Sequence, residues 1–122
     1  MLKFLKKLFL PNKYNRHDWV ESKLRDLDSG GILLDAGCGT QRYRRYCSHL
    51  NYKGQDFGKY EPKIEDSGLH QDEWVYGELD YKGDIWNIEE NDEHFDAIMC
   101  TEVFEHIPYP NETINEFSRI LK

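Results

Sequence analysis

The stretch LLDAGCGT, residues 33–40, decides the fold. Its apolar run begins at Ile32, is too short for a helix, and closes on Gly37 and Gly39. That pattern predicts a buried strand feeding a tight turn. Glycine at both places lets the backbone turn sharply and approach a ligand with no Cβ in the way. A helix predicted over residues 40–50, with Tyr43, Tyr46, Cys47 and Leu50 at helical spacing, would point its N-terminal amides and their partial positive charge at that ligand.

The flanking segments extend the pattern. YKGQDF (52–57) predicts a second strand ending at Asp56, DYKGDIWNI (80–88) a third ending near Asp84, and FDAIMC (95–100) a fourth, after the acidic turn EENDEH. PNETINEFSRILK (110–122) predicts a helix with Asn111 as N-cap and Ile114, Phe117 and Leu121 as its apolar face. Upstream, a helix is expected from about Asp18 to about Leu27, with Trp19, Val20, Leu24 and Leu27 as its stripe and Gly30-Gly31 as its end. Residues 59–78, interrupted by Pro62, Gly68 and Gly77, predict a loop with at most a helical turn or two. Strand, helix, strand, loop, strand, strand, helix is the order of an α/β fold with a parallel sheet.

Composition narrows the function classes. A chain of 122 residues holds one domain with a small core. Its 16 basic against 23 acidic residues give a net charge of −7, which argues against general nucleic-acid binding. A hydrophobic content of 39% is too high for intrinsic disorder, and no apolar run approaches the roughly 20 residues that cross a bilayer. Cys38, Cys47 and Cys100 form no C-x-x-C pair, and the lysines of MLKFLKKLFLP break any signal-peptide core, so the expected location is the cytoplasm. Residues 1–10 form a short basic amphipathic helix, with two readings: contact with an anionic membrane surface, or packing on this protein or a neighbour.

The carboxylate at Asp56 follows Asp35 by about 20 residues, the interval expected for an acid that accepts hydrogen bonds from both ribose hydroxyls in a Rossmann unit. LLDAGCGT, Asp56, GDIWNI and FDAIMCTEVFEHIPYP, in that order, resemble the successive signatures of class I S-adenosylmethionine-dependent methyltransferases of the small-molecule type, with D-x-G-C-G-T and E-x-x-E-H. The resemblance covers residues 30–122 and leaves residues 1–29 as an N-terminal helical segment. It implies a Rossmann-like sheet in the order 3-2-1-4, with the family's closing strands missing from a chain that stops at Lys122. It further implies that Asp35, Gly37 and Gly39 line the methionine moiety of the cofactor and Asp56 holds the ribose. Asp84 would face the adenine amino group, Ile85 and Trp86 the ring, and Thr101 and Glu102 would close the site. The acceptor would be a small molecule.

Two departures stand out. Gln41 occupies the place of the family's third glycine, and the pocket-completing C-terminal elements are absent, which leaves a second reading of a catalytically inactive cofactor-binding remnant or assembly subunit. An NAD-type unit fits less well, because its third glycine falls at Arg42 and Asp35 would sit beside a pyrophosphate.

Methyl transfer needs positioning above all, and a base only where the acceptor must lose a proton. His106 is the candidate base; its other reading is a histidine packed or capping beneath the loop before Pro108. In a helical turn, Glu102, Glu105 and His106 could converge as ligands for Mg²⁺, Mn²⁺ or Zn²⁺. That pattern is similar to metal-binding segments of small-RNA terminal 2′-O-methyltransferases and some quinone-ring O-methyltransferases, and its other reading is plain packing and solvation. The fourth strand, having lost its neighbour, is expected to recruit a second copy of the chain through its edge.

Overall fold

Strand β1 (Ile32–Ala36) is the centre around which the computed structural model, describing residues 11–58 and 77–122, is arranged. It pairs in parallel with β2 (Asn51–Asp56) on one side and β4 (Ala97–Met99) on the other, and β3 (Tyr81–Lys82) pairs in parallel with β2. The order is β3-β2-β1-β4, the one the family resemblance implies. Registers of Ala36 with Gln55, Asp35 with Met99 and Asp56 with Lys82 bring the carboxyl ends of all four strands to one edge. In open parallel sheets that edge is where ligands bind.

Strand alternation divides the apolar residues between two faces. Leu33 packs with Val20 and Leu24 of α1 (Pro11–Arg25) and with Tyr43, Cys47 and Met99. Leu34 and Ala36 pack on the opposite side with Ile85, Ile88, Phe95 and with Ile120 of α2 (Pro110–Ile120). A strand buried on both faces is why ILLDA reads as a continuous apolar run.

Four local expectations are corrected. Helix α1 begins at Pro11 rather than near Asp18, and Trp19 lies outside its buried stripe, 63% exposed, with the Lys23 ammonium over its ring. Residues 40–50 form turns and one 3₁₀ turn, Arg44–Tyr46, instead of an α-helix. The physical reason is Gln41, whose φ of 57° breaks the helical path directly after the glycines, while Tyr43 and Cys47 still reach the core. The third strand stops at Lys82 because Gly83, at φ 153°, turns the chain away and sends Ile85 and Ile88 beneath the sheet. Helix α2 starts with Pro110 at its first position, so Asn111 lies inside the first turn and Tyr109 is the cap. Its buried face is Thr113, Phe117 and Ile120, whereas Ile114 and Leu121 are exposed.

Polar clamps fasten α2 to the loop after β3. Glu116 Oε1 accepts from the Ile88 amide at 2.8 Å, and Arg119 donates to the carbonyls of Ile88 and Glu90. Charged groups bonding backbone in this way stabilise a loop that has no strand ladder of its own. Beyond α2, the Phe95 and His94 amides donate to the Ile120 carbonyl and the Lys122 amide donates to Phe95, giving a parallel bridge between Phe95 and Leu121. Asp96 joins this corner to β1, accepting from the Ile32 amide at 2.7 Å and from Lys122 Nζ at 2.9 Å. These bonds hold its carboxyl below the usual range.

The amphipathic segment 1–10 and nearly all of the predicted loop lie outside the described residues. Among the described residues, no helix is long and apolar enough to cross a membrane.

Phe95 is fully buried, with Tyr81 set edge-on to it at 6.0 Å and Ile120 packed beside it. Phe95→Ala is expected to cost about 3–5 kcal/mol by leaving a cavity at the α2–sheet junction, read as a fall in the urea midpoint. A loss under about 1 kcal/mol would show that this junction collapses around the cavity.

Candidate functional site

The carboxyl ends of the strands border a cleft of about 800 Å³. Its base is the turn after β1. Gly37 (φ 72°) and Gly39 (φ 51°) are both left-handed, and Gln41 two residues on shares that conformation. Gln41 therefore meets the same backbone demand as a glycine, at some steric cost, and offsets it with side-chain bonds to the Glu78 carbonyl and to Arg44. Gly37 also serves packing: a Cβ there would lie 2.6 Å from a Val103 methyl carbon.

The end of β2 holds this turn in place. The Gln55 carbonyl accepts from the Gly37 and Cys38 amides, and Gln55 Oε1 takes a further bond from Gly37 at 3.0 Å. Gln55 Nε2 donates to the Gly83 carbonyl, joining the β1 and β3 turns. Asp56 Oδ2 accepts from the Gly39 amide at 2.9 Å and Oδ1 from Gly58 at 3.2 Å. Asp56 is thus part of the turn's own structure as well as of the cleft wall.

Asp35, 3% exposed, lies on the cleft and accepts a hydrogen bond from the Tyr52 hydroxyl. Among the described residues no cation lies within ion-pair distance of it. Burial pushes its carboxyl up to about 6 from 3.8, the Tyr52 bond pulls it down, and the Asp56 charge raises it further. Burial and the Asp35 charge hold the Tyr52 hydroxyl protonated. Cys38, also on the cleft, has its thiol pushed up to about 12, chiefly by burial, so it is an inert thiol at neutral pH.

Every residue expected at the site from sequence borders the cleft except Glu105. Asp84 is exposed, Ile85 is buried and Trp86 is half-buried with Tyr109 edge-on at 5.0 Å. Thr101, Glu102 and His106 line the β4 side. Glu102 has a left-handed backbone (φ 58°), and its carboxylate meets Arg16 Nη2 at 2.6 Å and Arg42 Nη1 at 3.9 Å.

That pairing corrects the metal expectation. Glu102 is turned to two guanidinium groups, Glu105 and His106 are exposed on a 3₁₀ turn with 3.9 Å between them, and the three do not converge. Among the described residues no group of three His, Cys, Asp or Glu side chains could hold a metal ion.

Gln55, Arg42, Tyr43 and Val103 also belong to the cleft and were not singled out from sequence. A polar residue directly before Asp56 in a buried strand was the available signal for Gln55; nothing local marks the other three.

A family model described as a methyltransferase domain matches residues 7–122. No curated protein matches the chain. Among solved structures, the YcgJ protein of Bacillus subtilis is 20% identical with a TM-score of 0.62, over 82% of this chain and 43% of that one. The [4+2]-cyclase SpnF is 24% identical with a TM-score of 0.61, over 86% and 41%. A Bacillus halodurans protein provisionally assigned as a methyltransferase is 21% identical with a TM-score of 0.60, over 84% and 45%. The chain spans under half the length of each of these structures. The likeness concerns the fold, which a cyclase shares, and fold alone does not select a reaction.

Asp35 links proton binding to stability. Its folded value lies above its unfolded one, so between about pH 4 and about pH 6 the folded state holds a proton that the unfolded state has lost. Stability from this group is present at the acid end and lost as pH rises through 6. In the ligand-free protein, Asp35→Asn is expected to gain stability over the natural chain, the gap growing to on the order of 2 kcal/mol from about pH 4 to about pH 7. Urea unfolding at both pH values reads this; a gap that does not change with pH would mean an ordinary carboxyl.

Proposed function

The chain belongs to the methyltransferase-domain family, and from that membership we propose that it binds S-adenosylmethionine in the cleft and transfers the methyl group to a small-molecule acceptor. The observation that carries the reading is Asp35, a buried carboxylate facing the cleft with no cationic partner among the described residues. A ligand with an ammonium and a sulfonium supplies what this carboxylate lacks. Asp56 and Asp84, on the same cleft, add to that preference. A pyrophosphate, as in a dinucleotide, would meet repulsion from Asp35 and Asp56 on the same cleft.

The residues present fit the cofactor part by part. Asp35, Gly37 and Gly39 line the methionine end, and the glycine turn provides close backbone approach. Asp56 keeps acceptor capacity beyond its two amide bonds, since each carboxylate oxygen has a second lone pair for the ribose hydroxyls. Asp84 would face the adenine amino group, with Ile85 and Trp86 against the ring, and Thr101 and Glu102 would close the β4 side. When bound, S-adenosylmethionine supplies a methyl carbon already activated by a positive sulfur. The protein's contribution is then mainly orientation and exclusion of water. His106, exposed on the rim, takes a proton only for acceptors that must lose one.

Calorimetric titration of the folded chain with S-adenosylmethionine tests this. Asp56→Ala is expected to weaken binding by about 1.5–3 kcal/mol, the cost of losing charge-assisted bonds. A thermal melt of the variant separates that loss from loosening of the glycine turn. Absence of any heat from well-folded natural protein would favour the remnant reading.

Association between copies belongs to the same proposal. Among the described residues, the outer side of β4 meets only the Phe95–Leu121 bridge, which leaves residues 97–99 open to a second chain. Light scattering is expected to give at least a dimer mass; a stable monomer at high concentration removes this element.

A further inference from the structure

A shallow recess of about 280 Å³ opens between α1 and the turn after β1, lined by Lys13, His17, Arg42, Tyr43, Arg45 and Tyr46. Among the described residues no carboxylate lines it, in a chain whose net charge is −7. Arg16 lies next to it on α1 and brings a fourth cation. Glu102, the carboxylate that reaches toward this cluster, is engaged by Arg16 at 2.6 Å and lies 3.9 Å from Arg42. Arg45 is fixed, its Nε donating to the Arg42 carbonyl at 3.2 Å and its guanidinium stacked over the Tyr46 ring.

At the centre, His17 Nδ1 and the Tyr43 hydroxyl are hydrogen-bonded at 2.9 Å. The His17 imidazole is held below its usual value by burial, then by Arg42, Arg16 and Lys13, against the opposing pull of Glu102. Among the described residues that shift His17, three cations stand against one carboxylate.

Arg42 and Tyr43 are walls of both this recess and the cleft. The sheet order places Asp56 and Asp84 on the β2–β3 side and Glu102 on the β4 side, so the recess adjoins the end of the cleft away from the adenine residues. We propose that the recess is a phosphate-binding subsite that holds the anionic end of a soluble, phosphate-bearing methyl acceptor. The acceptor half of this statement rests on the reading of the cleft as the S-adenosylmethionine site; the phosphate half does not. Arginine forks and a lysine ammonium are the donors that phosphate oxygens take, and their place around one recess beside the cleft would orient an acceptor toward the methyl group.

The test follows the His17 imidazole by NMR in the full chain during titration with inorganic phosphate at constant ionic strength. Saturable binding is expected, raising the His17 pKa by about half a unit or more, because a dianion reverses the field of the surrounding cations. Lys13→Gln combined with Arg45→Gln is expected to weaken phosphate at least roughly tenfold, while S-adenosylmethionine affinity stays within about twofold, since neither residue lines the cleft. An unmoved His17, or an equal response to chloride, overturns the subsite. Competition between phosphate and S-adenosylmethionine also overturns it, by placing the anion where the cofactor's own carboxylate would lie. Vesicles of phosphatidylcholine with phosphatidic acid give the comparison for a lipid headgroup, and a response to vesicles alone overturns the soluble acceptor. Phosphate binding without S-adenosylmethionine binding keeps the subsite and removes the methyltransferase reading, whereas the converse removes only the subsite.

Discussion

The hydrogen bonds that Gln55 and Asp56 accept from the amides of Gly37, Cys38 and Gly39 are the constraint on which the rest of the site depends. Left-handed backbone at three nearby positions has no helix or ladder to satisfy its amides, and a buried amide without a partner costs on the order of 1–3 kcal/mol. The end of β2 provides those partners because the parallel register sets Ala36 opposite Gln55. Gln55 Nε2 then reaches Gly83, so the turns after β1 and β3 are both held by one side chain carried on β2. The cleft is built from bonds between loops, and the sheet supplies the register that makes those bonds possible.

Charge placement follows a different logic from stability. Asp35 shares the β1 face that buries Leu33, and among the described residues its only side-chain partner is the Tyr52 hydroxyl. Elsewhere the chain pairs its charges carefully: Glu116 with Arg119, and Asp96 with Lys122 and the Ile32 amide. A carboxylate held at a cost in one place, amid well-matched charges in others, is what the proposed cationic ligand would answer.

The sheet was legible in the sequence because ILLDA and the Gly37–Gly39 turn carry local signals that tertiary context does not override. Asp56 was legible for the same reason, since it ends β2, whereas Asp84 lies past the shorter β3. The helix expected over 40–50 failed because its apolar spacing was real but served a non-helical path; Tyr43 and Cys47 reach the core from turns. Asn111 looked like a cap, yet Pro110 is the better first residue of α2 and displaced it. Arg42, Tyr43 and Val103 could not be found, because what makes them part of the cleft is the approach of α1 and the loop after β4. The convergence of Glu102, Glu105 and His106 was a local inference that Arg16, far away in the chain, undid.

The contact between Gly37 and Val103 sets an order on how these positions can change. At Gly37, the φ of 72° and the Val103 methyls each exclude a side chain, so enlarging it is blocked twice. At Val103 a smaller side chain loses packing against the core but meets no clash with Gly37, and the turn still requires glycine. Substitution therefore runs in one direction: a smaller residue at 103 opens no path for 37. In a diverging lineage the glycine would persist long after its neighbour had been replaced, outlasting the packing that surrounds it now.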